Sequence, residues 1–183
     1  MGLIIVIIAV VVIAGFLIAM YNGLVQLRVR ADSSWSDIDV QLKRRHDLIP
    51  NLVETVKGYA GHEKSTFENI ARYRSAAMQA TTPAEAGVAE AQLTTALRGL
   101  FAVAENYPQL RASEQFTSLQ AALQEVEGAI QNARRYYNAV VRDYNTKVQS
   151  FPTNLLAGTF GFQQKQFFQL DTPAERENVA VKF

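Results

Sequence analysis

The stretch FTSLQAALQEVEGAIQNARRYYNAVVRDY, Phe116 to Tyr144, decides the fold. Its residues Phe116, Leu119, Leu123, Val126, Ile130, Ala133, Tyr137, Val140 and Tyr144 are spaced alternately three and four apart. That alternation is a 3.5-residue period, so one stripe of side chains runs along one side of a helix and requires partner helices in a left-handed bundle. Lys147 takes the next expected seat, and the pattern ends near Phe151-Pro152.

Three further stripes lie upstream. Trp35, Ile38, Leu42, His46, Ile49, Val53, Val56 and Ala60 form a long one with a single-residue slip near His46. Phe67, Ile70, Arg74 and Ala77 mark a second helix, and Leu93, Leu97, Leu100, Ala104 and Tyr107 a third. Between these two, TTPAEAG offers a helix start, with Thr82 as N-cap, Pro83 at the first helical position and Glu85 completing a capping box. Gly58 and Gly61 can close the first helix. The predicted helices are 21–60, 62–80, 84–106 and 113–150. Two are long, roughly 57–60 Å, and two are short, roughly 30 Å.

Short connections make successive helices antiparallel. The expected fold class is therefore all-α: an N-terminal transmembrane helix continuing into an antiparallel up-down four-helix bundle with two long and two short helices, plus an irregular C-terminal tail. The expected domains are an anchor at 1–22, a bundle at 23–151 and a tail at 152–183. Near the membrane only the two long helices remain. Tyr137, Val140 and Tyr144, with Leu24, Leu27 and Ala31, are then too many apolar residues for two helices to cover. The C-terminal tail, neighbouring copies or another protein must cover them, which predicts a homo-oligomer.

The anchor follows from Leu3–Met20, eighteen consecutive residues with no charge or strong polarity. As a helix they cover roughly 27 Å, close to the ~30 Å hydrocarbon layer. Backbone groups in lipid must be satisfied within the segment, so the run is helical. Leu3, Ile8, Val12, Phe16 and Met20 are the expected lipid contacts. A cleaved signal peptide is the rival, but no Lys or Arg precedes the run, so a retained single-pass anchor is expected. Arg28 and Arg30 follow it, and the positive-inside rule places the bundle on the cytoplasmic side. The 183 residues carry a net charge of +1 with both signs interspersed and no cysteine. That balance gives no electrostatic case for nucleic acid.

Candidate sites are few. His62 opens HEKST, but Thr66 stands where the zinc motif H-E-x-x-H needs its second histidine, and His46 is too far around the helix to share an ion with His62. No metal site, cofactor or catalytic residue is expected. His46 on an apolar face is expected to be satisfied by a carbonyl or carboxylate. Pro50 removes the N–H that would bond to the His46 carbonyl. It marks either a kink in one long helix or a fresh start with Asp47 as N-cap. Lys43, Arg44 and Arg45 spread around the helix, with Asp39, Asp47 and Glu54 within reach. With Pro50 they are the candidate partner-facing group. The pairs Tyr21-Asn22, Tyr137-Asn138 and Tyr144-Asn145 are expected to fix register near the membrane, since Asn mid-helix suggests side-chain hydrogen bonds. Together with Phe160, Phe162, Phe167 and Phe168 of the tail, they form the candidate oligomer or tail interface. The final ERENVAVKF alternates apolar and polar residues, as a short added strand would.

The segments YNGLVQLR, SWSDIDVQLKRRHDLIPNLVETVKGYAGHEK, AENYPQLRASEQFTSLQ and ARRYYNAVVRDYNTKVQSFPTNLLAG, with the VKF ending, resemble the LemA family of bacterial membrane proteins. The resemblance runs from about Tyr21 to the C-terminus. It implies an N-terminal anchor in the bacterial inner membrane and an antiparallel helical bundle, with no particular catalytic activity. It also implies links to membrane remodelling in magnetosome-forming bacteria and to neighbouring membrane metalloproteases. The expected function is thus a membrane-anchored, self-associating scaffold that organises membrane lipid or recruits a partner, without catalysis. The alternatives are an adaptor for a membrane protease and a hydrolase with an inconspicuous carboxylate site.

Overall fold

The computed structural model describes residues 1–169. Among them there are six helices and no strand: α1 Gly2–Lys57, α2 Lys64–Gln79, α3 Pro83–Glu105, α4 Pro108–Arg111, α5 Glu114–Gln149 and α6 Thr153–Thr159. The expected all-α class holds. The ERENVAVKF segment lies outside the described residues.

α1 runs without interruption from the apolar stretch through Pro50. A fresh helix start at Asp47 is therefore not what the chain adopts. Asp47 instead accepts a hydrogen bond from Lys43 Nζ at 2.8 Å, which holds its carboxyl below the ordinary range. Within α1 an 18-residue window is long and apolar enough to cross a membrane, and only 6% of it is buried. Leu3, Ile8, Val12 and Phe16 are exposed, whereas Met20 is buried against the protein. The α3 start is as read from sequence: Thr82 Oγ1 accepts from Glu85 N at 3.2 Å, and Glu85 Oε2 accepts from the Thr81 and Thr82 amides. Those amides hold the Glu85 carboxyl below its ordinary range.

The described contacts fall into two compact units, through both of which α1 and α5 pass. One comprises, among the described residues, 37–134 with 166–169. Its core draws Ile49, Leu52 and Val56 from α1, Phe67 and Ile70 from α2, Leu93, Leu97 and Leu100 from α3, and Phe116 and Leu123 from α5. Those four stripes meet in a four-helix bundle. Leu110 of the one-turn α4, fully buried, plugs the α3–α5 connection.

The other unit comprises residues 1–36 and 135–165. Leu24 is buried in a cluster with Tyr144, Val148, Ala157 and Phe162. Trp35 packs on Tyr137 at 5.5 Å between ring centroids, and burial pushes the Tyr137 hydroxyl up to about 12. After α5 the chain forms α6, where an irregular tail was expected, and buries Thr153 and Ala157. Gly161, at φ 69°, turns it from α6 into an extended strap. This left-handed conformation is one that glycine adopts without a Cβ clash.

The strap is clipped down by polar groups. Tyr144 Oη donates to the Gln163 carbonyl at 2.9 Å. Asn145 Nδ2 donates to the Lys165 carbonyl at 2.9 Å, while Lys165 N donates to Asn145 Oδ1 at 2.8 Å. Lys165 Nζ reaches Asp32 at 2.6 Å. The Asn145 side chain therefore holds the tail backbone. Tyr137, Val140, Tyr144, Leu24 and Ala31 are all buried within the single chain. The C-terminal tail, one of the three covers expected, supplies Ala157 and Phe162 to the Leu24–Tyr144 cluster, while Leu27 is half-buried. Asn145→Ala removes both amide bonds to the strap and is expected to lower stability by about 1–2 kcal/mol, measured by urea unfolding of the full chain in detergent. Asn145→Asp, which keeps the acceptor alone, should fall between the two.

Candidate functional site

The charged residues of the bundle converge on Arg45. It was expected at the surface with Lys43 and Arg44, but its side chain is only 2% exposed. The helix explains the correction. Arg45 and Leu42 share a face, and the slip in the α1 stripe turns both Arg45 and His46 inward. Lys43 and Arg44 stay at the surface, where Arg44 lies 3.6 Å from Glu125.

Arg45 Nη1 donates to Glu90 Oε2 at 2.5 Å, and Nη2 donates to Thr94 Oγ1 and Glu127 Oε1, both at 2.7 Å. Thr94 Oγ1 in turn donates to the Glu90 carbonyl at 2.9 Å. His46 Nε2 lies 2.6 Å from Glu90 Oε1. Of the two partners expected for His46, a carbonyl or a carboxylate, it has the carboxylate. Glu90 itself is 1% exposed, with each carboxylate oxygen bound to a different cationic or donor side chain.

The Pro50 effect is resolved in the same place. The His46 carbonyl, deprived of its helical donor, accepts from Arg74 Nε at 2.8 Å. Arg74 was read as a stripe residue of α2, and it occupies that seat with its guanidinium turned to this carbonyl. The freed carbonyl is thus bonded from within the chain.

Glu127 is the group left closest to water, with its side chain 33% exposed. Burial and then the neighbouring Glu90 charge push its carboxyl up, against the pull of Arg45 and Arg98. The 2.7 Å bridge to Arg45 argues the other way, but that guanidinium is already held by Glu90. The Glu127 carboxyl holds its proton more tightly in the folded chain. Its contribution is full below the unfolded pKa and is lost as pH rises through the raised value. Unfolding midpoints in urea should therefore fall as pH climbs from the ordinary 4.5 through that value, and Glu127→Gln should flatten the slope.

Chemically, the cluster joins α1, α3 and α5 by charge-assisted bonds. Among the described residues, no group of three or more His, Asp or Glu side chains is arranged to hold a metal ion. Sequence reasoning missed Glu90 although its seat was visible. Ala86, Glu90, Leu93, Leu97, Leu100 and Ala104 continue the alternation of four and three one heptad upstream.

The other expected positions are divided. Tyr21 packs edge-on against Phe160 at 5.0 Å and Phe162 at 5.6 Å, while Asn22 is exposed. Asn138 is half-buried. Phe162 and Phe168 are buried, and Phe160 and Phe167 remain exposed. Gln169 crosses directly over the buried Gly87 of α3, where a Cβ would stand 2.0 Å from the Gln169 carbonyl oxygen. No side chain fits between them.

A family model described as the LemA family matches residues 34–183. The chain is 26% identical to Magnetosome protein MamQ 2 of Paramagnetospirillum magneticum, over 89% of this chain and 70% of that protein. It is 25% identical to Magnetosome protein MamQ of Magnetospirillum gryphiswaldense, over 83% of this chain and 65% of that one. It is also 26% identical to Protein LemA of Metamycoplasma hominis, over 81% and 68%.

Proposed function

We infer that this chain, which belongs to the LemA family, acts as a membrane-anchored scaffold that organises lipid or recruits a partner, not as an enzyme. The observation that carries the reading is the continuity of α1. One helix, Gly2–Lys57, bears an exposed apolar window at its start and Ile49, Leu52 and Val56 of the bundle core near its end. An anchor and a folded domain sharing one helix suit a protein whose task is to hold something at a membrane. The relatives named as magnetosome proteins support membrane organisation as the setting. Arg28 and Arg30 support a cytoplasmic bundle at the bacterial inner membrane.

The buried charges support a structural role. Arg45, His46 and Glu90 are engaged with one another, which leaves the helix surfaces for any partner. Self-association must rest on those surfaces, because the stalk stripe is covered. The test is extraction of the full chain with its native lipid, followed by mass measurement and identification of what comes with it. A multi-copy array or a stoichiometric partner supports the scaffold. A single copy with a bound membrane protease identifies the adaptor. A lone monomer, with no partner after crosslinking in cells, overturns the reading.

One observation favours a hydrolase: Glu127 combines partial exposure with a raised carboxyl beside a buried His–Glu pair, a combination found at catalytic sites. If Glu127→Gln left the fold intact but abolished the cellular phenotype, that reading would replace the scaffold.

A further inference from the structure

α6 is lopsided. Thr153 and Ala157 face inward, while Leu155 and the flanking Phe151 and Phe160 are 63%, 79% and 57% exposed. Three large apolar side chains close together in sequence are unusual on a surface that meets only water. Their neighbours explain them. Leu156 and Phe160 line an apolar recess of about 330 Å³ together with Leu17, Ile18 and Tyr21 of α1. Leu17 and Ile18 belong to the last turn of the apolar stretch, and Tyr21 is the first residue beyond it.

We propose that α6, with Phe151 and Phe160, is seated in the lipid–water boundary beside the anchor and takes phospholipid as its partner. The inference rests on reading Leu3–Met20 as an anchor. Given that anchor, the residues around Tyr21 lie where acyl chains give way to headgroups, the level at which aromatic rings gather. The composition agrees. From Ser150 to Gln164 no side chain is charged, so the segment enters the boundary without desolvating an ion. The next cation sits where headgroup phosphates would be. Arg28, roughly 12 Å beyond Met20 along α1, lies over the Phe162 ring at 5.0 Å. A second copy of the chain is the other conceivable cover, but an exposed face continuous with Leu17 and Ile18 opens onto lipid first.

The chain has no cysteine, which makes site-specific labelling clean. Single variants Leu155→Cys, Phe151→Cys, Val12→Cys and Met78→Cys of the full chain are labelled with an environment-sensitive fluorophore. Each is reconstituted in phosphatidylcholine–phosphatidylglycerol vesicles. All four positions are exposed, so the substitutions disturb little packing. Labels at 155 and 151 should shift to the blue and lose emission to lipids brominated near the headgroup end of the acyl chain. The label at 12 should be quenched best by deeply brominated lipid, and the label at 78 by neither. Quenching at 12 with water-like emission at 155 and 151 overturns the proposal and leaves the anchor standing. Absence of quenching at 12 removes the anchor and this inference with it. A blue shift at 155 that resists bromolipid and fades as protein is diluted in lipid identifies a second copy as the cover, and also overturns it.

Discussion

Glu90→Ala is expected to destabilise the bundle by about 3–5 kcal/mol, the range seen when one partner of a buried ion pair is removed. The substitution leaves the Arg45 guanidinium 2% exposed with Glu127 as its remaining carboxylate, and it leaves His46 Nε2 facing a void. The loss should come mainly from the stranded charge, and this can be separated from the worth of the network. A chain carrying Arg45→Met, His46→Phe and Glu90→Leu together removes the three most buried members of the network at once. Buried ionic sets replaced by apolar groups of similar volume are often neutral or better. The triple variant should therefore recover most of the stability lost by Glu90→Ala alone. Urea unfolding followed by circular dichroism in detergent measures both. If the triple variant were as unstable as the single one, the network would be contributing stability that its desolvation does not cancel.

The second large effect is at Gly87. Gly87→Val would drive its Cβ to 2.0 Å from the Gln169 carbonyl oxygen and 2.9 Å from the carbonyl carbon, both backbone atoms. A backbone segment cannot swing aside as a long side chain does, so the tail must lift from α3. Phe168, fully buried beside this crossing in sequence, would go into water at a loss of roughly 2–3 kcal/mol. Chymotrypsin should then cut at Phe167 and Phe168 much faster than in the parent chain. Gly99 and Gly128 make the control, because nothing stands within 4 Å of a Cβ at either. Alanine there should stabilise the helix by about 0.5–1 kcal/mol through propensity alone.

Most of the architecture was legible because it is periodic or local. The alternating stripe of Phe116–Tyr144 names its own face, and Thr82 with Glu85 are only three residues apart. α4 and α6 escaped because four and seven residues hold too few turns for a period to register. The site was half legible. His46 on an apolar face pointed to a carbonyl or a carboxylate, and Pro50 pointed to an orphaned carbonyl. Glu90 was passed over because a carboxylate in an apolar seat reads as surface until its cation is known. Arg45 was misassigned for the complementary reason, as the two residues before it, Lys43 and Arg44, are surface cations. The crossing of Gln169 over Gly87 left a single trace, a glycine inside a helix, and nothing local says what passes above it.

The clip between Lys165 and Asp32 joins residues 133 positions apart. At the usual ~5–20 residues per second of synthesis, the α1 side of that clip waits on the order of ten seconds for the other to leave the ribosome. Leu24 and its neighbours thus spend that interval without the residues that finally enclose them. Translation order therefore brings the strap out after both helices it fastens, α1 and α5.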